Sequence, residues 1–133
     1  MTDVSVDLRS PTPVYEQIRS QVAGLVAVGV LTPGDRLPTS RDLARDLGIA
    51  VGTVQRAYRE LEATGVVTSR RRVGTVVADA EPDRPGAAAV TELRAAVRRA
   101  RAGGLGDAAI LDVVHGELRT VRPTDEMTVG GES

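Results

Sequence analysis

Apolar residues recur at three- and four-residue steps early in the chain. PVYEQIRSQVAGLVAVGV sets Val14, Ile18, Val22, Leu25 and Val26 on one stripe and Glu16, Gln17, Arg19 and Gln21 outward. That pattern predicts an amphipathic helix. An extended entry from Asp7 to Pro13 precedes it, because Pro11 and Pro13 exclude helix until after them. Gly29 stops the helix and Pro33-Gly34 marks a turn. After the extended piece Arg36-Leu37-Pro38, Thr39 or Ser40 can cap a second helix, SRDLARDLG. Leu43, Ala44 and Leu47 face inward there and Gly48 ends it. A third helix is expected from about Val51 to Ala63, with Val54, Ala57, Tyr58 and Leu61 buried and Gly65 as its end. Two β-runs follow, Val66 to Arg70 and Val73 to Ala78, joined by a basic turn that makes a hairpin.

Three helices, a tight turn between the second and third, and a hairpin are the order of a winged helix-turn-helix. The expected class is mainly α with a small β-wing, occupying residues 1–78. Residues 79–87, rich in Pro and acids, read as a linker. Residues 88–120 carry two more helices. Val90, Leu93, Val97 and Ala100 mark one, ended by Gly103-Gly104. Asp107 can cap the other, which carries Ile110, Leu111, Val113, Val114 and Leu118. Residues 121–133 lack periodicity and are expected to be a disordered tail.

Composition changes this picture little: 41% hydrophobic and 26% charged residues are ordinary for a globular chain. With no Phe or Trp and only Tyr15 and Tyr58, the core must be built from Val, Leu, Ile and Ala. The absence of cysteine excludes disulfides and thiolate metal sites. The N-terminus, MTDVSVDLRSP, has no apolar run of a signal peptide, and no stretch has the roughly 18 apolar residues of a membrane helix. A cytoplasmic protein without a membrane partner is expected.

Charge adds more. The net charge is −1, yet from Arg36 to Val73 eight Arg face four acids, whereas from Asp79 onward seven Arg face ten. A basic middle and an acidic remainder fit a segment that contacts double-stranded DNA, joined to something else. With the third helix in the major groove, Gly52, Thr53, Gln55, Arg56 and Arg59 would face the DNA. Gly52 and Thr53 sit in the first turn, where free N–H groups favour a phosphate. Gln55 can pair with adenine, and Arg56 with guanine or phosphate. Arg56 and Arg59 could instead pair with Glu60 or Glu62 on a solvated face. Arg41, near the start of the second helix, can reach the groove or pair with Asp42 or Asp46. Arg70, Arg71 and Arg72 sit on the hairpin turn, where they can straddle the backbone or enter the minor groove; the alternative is a solvated turn.

VDLRSPTPVYEQI, LTPGDRLPTSRDLARDLGI, TVQRAYRELEATGVV and RRRVGTVV resemble the DNA-binding domain of the GntR family of bacterial regulators, over about Asp7 to Ala78. The short two-helix remainder resembles the YtrA subfamily, whose small C-terminal part dimerises. The resemblance implies that Arg41, in the segment with Arg36, Thr39 and Ser40, reads a guanine. It puts the recognition positions at Gly52, Thr53, Gln55 and Arg56, and the wing Gly-Thr at Gly74 and Thr75. Three departures bear on the base contacts. Ala50 stands where the family often has a capping Ser or Asn, Val51 where it often has Arg or Pro, and Arg72-Val73-Gly74 where the wing turn usually reads Gly-basic-Gly.

The C-terminal helices are too short to be stable alone, so their apolar faces need a partner. The expected partner is a second copy, giving a homodimer through Val90, Leu93, Val97, Ile110, Val113, Val114 and Leu118. The alternative is that the pair folds back on its own winged domain. His115, the only histidine, reads as a partly exposed helix residue rather than a metal ligand. Gly103-Gly104-Leu105-Gly106 lacks the Lys and Ser/Thr of a phosphate loop, and no catalytic set can be assembled. No enzyme, cofactor or metal is expected, and a small-molecule effector is left open. The leading reading is a sequence-specific homodimeric repressor on an inverted-repeat operator. The competing readings are a winged-helix protein-interaction module and a nonspecific DNA binder.

Overall fold

The computed structural model describes residues 4–81 and 83–120. The chain divides between Asp83 and Arg84 into two compact units. The first contains α1 (Val14–Ala27), α2 (Ser40–Leu47), α3 (Val51–Ala63), β1 (Val67–Arg70) and β2 (Gly74–Val77). The second contains α4 (Ala87–Ala102) and α5 (Asp107–Thr120). The expected tail, residues 121–133, lies outside the described residues.

Each helix of the first unit ends for a local reason. Thr39 accepts the Asp42 amide at 3.1 Å and so starts α2. Gly48, with φ 69°, turns the chain out of α2 in the left-handed conformation that only glycine adopts freely. The α3 start has no side-chain cap, because Ala50 offers none. The apolar stripes converge: Ile18 and Val22 of α1, Leu43 and Ala44 of α2, and Val54, Ala57, Tyr58 and Leu61 of α3 are buried in one core. Val67, Leu37 and Val4 complete it. Val4 lies before the extended entry read from the sequence. Tyr58 can be buried because its hydroxyl donates to the Pro38 carbonyl at 2.8 Å. Burial raises its phenol pKa above the ordinary range.

Gln17 and Gln21 do not simply face water as expected. The Gln21 amide group bonds the backbone N–H and carbonyl of Ser5, and Gln17 does the same for Asp7. Two side-chain amides thus bind the extended entry to α1 as a neighbouring strand would, which the 3.6-residue pattern cannot reveal.

The hairpin is antiparallel, with Val67 opposite Val77 and Arg70 opposite Gly74. Val73 falls in the turn and Ala78 past the strand, so β2 is one residue shorter at each end than expected. The piece around Arg36 is also part of the sheet: Leu37 donates to the Thr75 carbonyl, and Val77 to that of Asp35. The wing is therefore held on both sides, by β1 and by the segment that leads into α2.

In the second unit, Leu105 donates to the Ala100 carbonyl at the end of α4, and the Ile110 amide bonds the Gly106 carbonyl. Asp107 is thus the first residue of α5 rather than its cap, and its carboxylate takes Arg101 at 2.7 Å across the turn. Neither helix has a buried residue.

Candidate nucleic-acid interface

The binding candidates come from three stretches of sequence. α2 contributes its first turn, α3 its exposed side, and the hairpin its edge and turn. Gln55, Arg59 and Glu62, at helical spacings of four and three, share one side of α3. With Ser40, Tyr58, Ser69 and Thr75 they line an open polar cleft of about 280 Å³. Ser69 is not among the residues read from the sequence, and Glu62 is read there only as a possible partner of Arg56 or Arg59. The Glu62 carboxylate accepts the Ser69 amide at 3.1 Å and ties the end of α3 to the wing. No sequence signal announces that bond, since it needs the hairpin to return beside the helix.

The charges around this cleft are available. Asp42 is engaged by Arg45 at 2.9 Å, so it does not hold Arg41. Among the described residues, Arg36, Arg41, Arg59, Arg70, Arg71 and Arg72 carry no ion pair and are exposed. Thr39 is spoken for by its cap. Gly52, in the first turn of α3, is open: a Cβ built there would meet nothing within 4 Å. Nothing in the fold itself requires a glycine at that position.

Arg56 is placed differently from its neighbours. Its guanidinium lies 3.7 Å from the centre of the Tyr15 ring on α1, and its Nε is 3.6 Å from Glu60. A cation over an aromatic face is attracted by the ring quadrupole. Beside it, Arg19 binds Glu16 at 2.6 Å, which holds the Glu16 carboxyl below the usual carboxylate range. Arg56 thus belongs to the α1–α3 contact, whereas Gln55 and Arg59 belong to the cleft.

The wing turn carries backbone strain. Arg72 adopts φ 66°, the sole positive φ at a non-glycine among the described residues, and Gly74 follows at φ 103°. A side chain in that conformation costs roughly 1–2 kcal/mol. The turn keeps the left-handed geometry suited to a glycine while presenting an arginine.

A three-helix core with a wing and a basic cleft matches known proteins. The model for bacterial regulatory proteins of the gntR family matches residues 14–77. The chain is 45% identical over 95 residues to the HTH-type transcriptional regulator Rv1152 of Mycobacterium tuberculosis, covering 71% of this chain and 78% of that one. The chain belongs to the GntR family. This GntR regulator is YtrA-like. It is 41% identical over 76 residues to the HTH-type transcriptional repressor YtrA of Bacillus subtilis, covering 57% of this chain and 58% of that one. It also superposes with the structure of YtrA from Sulfolobus acidocaldarius, a GntR-family transcription factor, with TM-score 0.54 and 34% identity. That match covers 89% of this chain and 98% of the other. The protein is therefore a transcription regulator with a DNA-binding domain, and its relatives are regulators rather than enzymes. No helix among the described residues is long and apolar enough to cross a membrane.

The remaining candidates lie in the second unit. Leu93, Val97, Ile110, Val113, Val114 and Leu118 line one apolar groove of about 450 Å³ between α4 and α5. Val90 is exposed on α4, and Leu105 and Glu117 add to the groove lining.

Proposed function

We infer that this protein is a homodimeric repressor that binds an inverted-repeat operator in the bacterial cytoplasm. The observation that carries the reading is the cleft itself, in which Ser40, Gln55, Arg59 and Thr75, from three separate stretches, line one polar surface beside unpaired arginines. In this reading α3 enters the major groove. Arg41, Gln55 and Arg59 reach base edges, Ser40 and Thr53 reach phosphates, and the open backbone at Gly52 approaches one closely. Arg36, Arg70, Arg71, Arg72, Gly74 and Thr75 form the wing contact. Arg56 would have to leave Tyr15 to read a base, so its part is at the backbone. The repressor role is supported by the description of the Bacillus subtilis relative.

Dimerisation is supported by the exposure of Leu93, Val113 and Leu118, each more than half exposed. Two copies joined there would offer two recognition helices to half-sites about one helical turn or more apart. The test is a footprint on DNA upstream of the protein's own gene, with affinity measured across salt. The expected result is one protected inverted repeat, bound about 10³-fold or more above random DNA. Binding without preference would make the protein a nonspecific DNA binder. Absence of DNA binding would leave the protein-interaction module. A chain ending at Asp83 keeps every apolar residue that is buried among the described ones. If that shortened chain sediments as a dimer, the second unit loses its assigned role.

A further inference from the structure

The second unit carries opposite charge on its two helices. α4 has Arg94, Arg98, Arg99 and Arg101 against Glu92, whereas α5 has Asp107, Asp112 and Glu117 against Arg119. Arg94, Arg98 and Arg101, at spacings of four and three, form a basic stripe on one side of α4, next to Val90 and Val97. Glu117 is the exception to the sign pattern of an apolar face. It lines the groove with Leu93, Val97, Ile110, Val113 and Leu118. Among the described residues its carboxylate has no ion pair or hydrogen bond, and neither has the Arg98 guanidinium. Arg101 is already taken by Asp107 of the same chain.

An acid in an apolar seam is costly once the seam is covered, unless the covering surface supplies a cation. An aliphatic partner surface without a positive charge would therefore be a poor fit. The α4 stripe of a second copy supplies both the aliphatic residues and the arginines. We propose that Glu117 pairs across the dimer with Arg98 of the second copy, so that basic and acidic helices alternate around a four-helix bundle. Pairing of α4 with α4, or α5 with α5, would set like charges side by side and is disfavoured. The charge pattern thus selects this chain as its own partner and fixes the order of helices. This inference rests on the reading that the second unit dimerises.

The test is sedimentation equilibrium of the full chain and its charge variants, with helix content followed by circular dichroism. E117R and R98E should each weaken self-association about ten-fold or more, and an equimolar mixture of the two should restore it as a heterodimer. If both variants dimerise as tightly as the parent, or if mixing restores nothing, the charge pairing is overturned. A second readout does not depend on reversed charges. Parent self-association should weaken about three-fold or more as salt rises, and E117Q should lose most of that dependence, since exposed charge attraction is screened. An association tightened by salt, as for apolar contact alone, would equally overturn it. A parent dimer with a monomeric chain ending at Asp83 but indifferent charge variants defeats only this inference. A monomeric parent defeats the dimer reading as well.

Discussion

The two units are built from the same aliphatic residues and reach opposite ends of burial. Among the described residues of the first, thirteen apolar ones are buried, including Ile18, Val22, Val54 and Leu61 with no exposed surface. In the second, α4 and α5 bury none, although their stripes are as regular as that of α1. The difference is the number of directions from which a stripe is covered. The α3 stripe meets α1 on one side and α2 on the other, with β1 beyond them. Within the second unit the α4 and α5 stripes line one groove between them, with Leu93, Val113 and Leu118 more than half exposed. An amphipathic helix reports that a partner exists, not that it is in the same chain.

The sharpest way to break this contrast is a pair of truncations. L61A should cost about 2–5 kcal/mol in urea unfolding, because it leaves a cavity in a core closed on all sides. L118A, at a residue 63% exposed, should leave the unfolding of the winged unit unchanged and act on self-association alone. Equal unfolding penalties would erase the distinction between a finished core and an unfinished one.

Within the first unit the contrast continues between the free arginines around the cleft and Arg56, which is held against Tyr15. R41A should cost roughly 1–3 kcal/mol in operator binding and relax preference at one base pair. R56A should instead cost about 0.5–1 kcal/mol of stability through the lost stacking on Tyr15, with weaker binding spread evenly over all DNAs. A change in base preference from R56A would return it to the base-reading set.

Tyr58 tests how the finished core accepts a polar group. Y58F should cost about 1 kcal/mol, since the Pro38 carbonyl loses its donor. Burial raises the folded phenol's pKa above its unfolded value near 10. The neutral phenol therefore supports the fold fully below about pH 10, and that support declines as pH rises toward the raised value. The parent should lose stability over that alkaline window more steeply than Y58F.

A small effect of opposite sign is expected at the wing. R72G removes a side chain from a left-handed backbone and should stabilise by about 0.5–1 kcal/mol, after the entropy glycine adds to the unfolded chain. The same change should weaken binding to all DNAs alike by removing a wing charge. A gain in stability with a loss in binding would identify strain retained for function.

Much of the architecture was legible in local signals. The bounds of α3, the Thr39 cap, the Gly48 end and the buried faces of α2 and α3 follow from side-chain periodicity and cap chemistry over a few residues. The binding candidates were legible as residue types: the structure gathers Ser40, Gln55, Arg59 and Thr75, but it separates Arg56 from them. Arg56 and Arg59 read alike because each is an exposed arginine on the same helix. A rotation of three residues sends one toward α1 and the other toward the wing.

The sequence by itself determined the elements, the bounds of α3 and the end of α2, and the presence of an apolar face on each of five helices, because those depend on near neighbours along the chain. It also determined the family, through a dense run of matching positions from α1 to β2. Only the tertiary structure decided which side chains face a neighbour. The Gln17 and Gln21 bonds to the entry segment, the Glu62 tie to Ser69, the Arg36 strand against Val76 and the Tyr15–Arg56 stack all join residues of different segments. Such contacts depend on how the helices cross, which periodicity along one helix does not encode. The same limit applies to α4 and α5: their stripes predicted burial, and the two helices line a groove between them while neither has a buried residue.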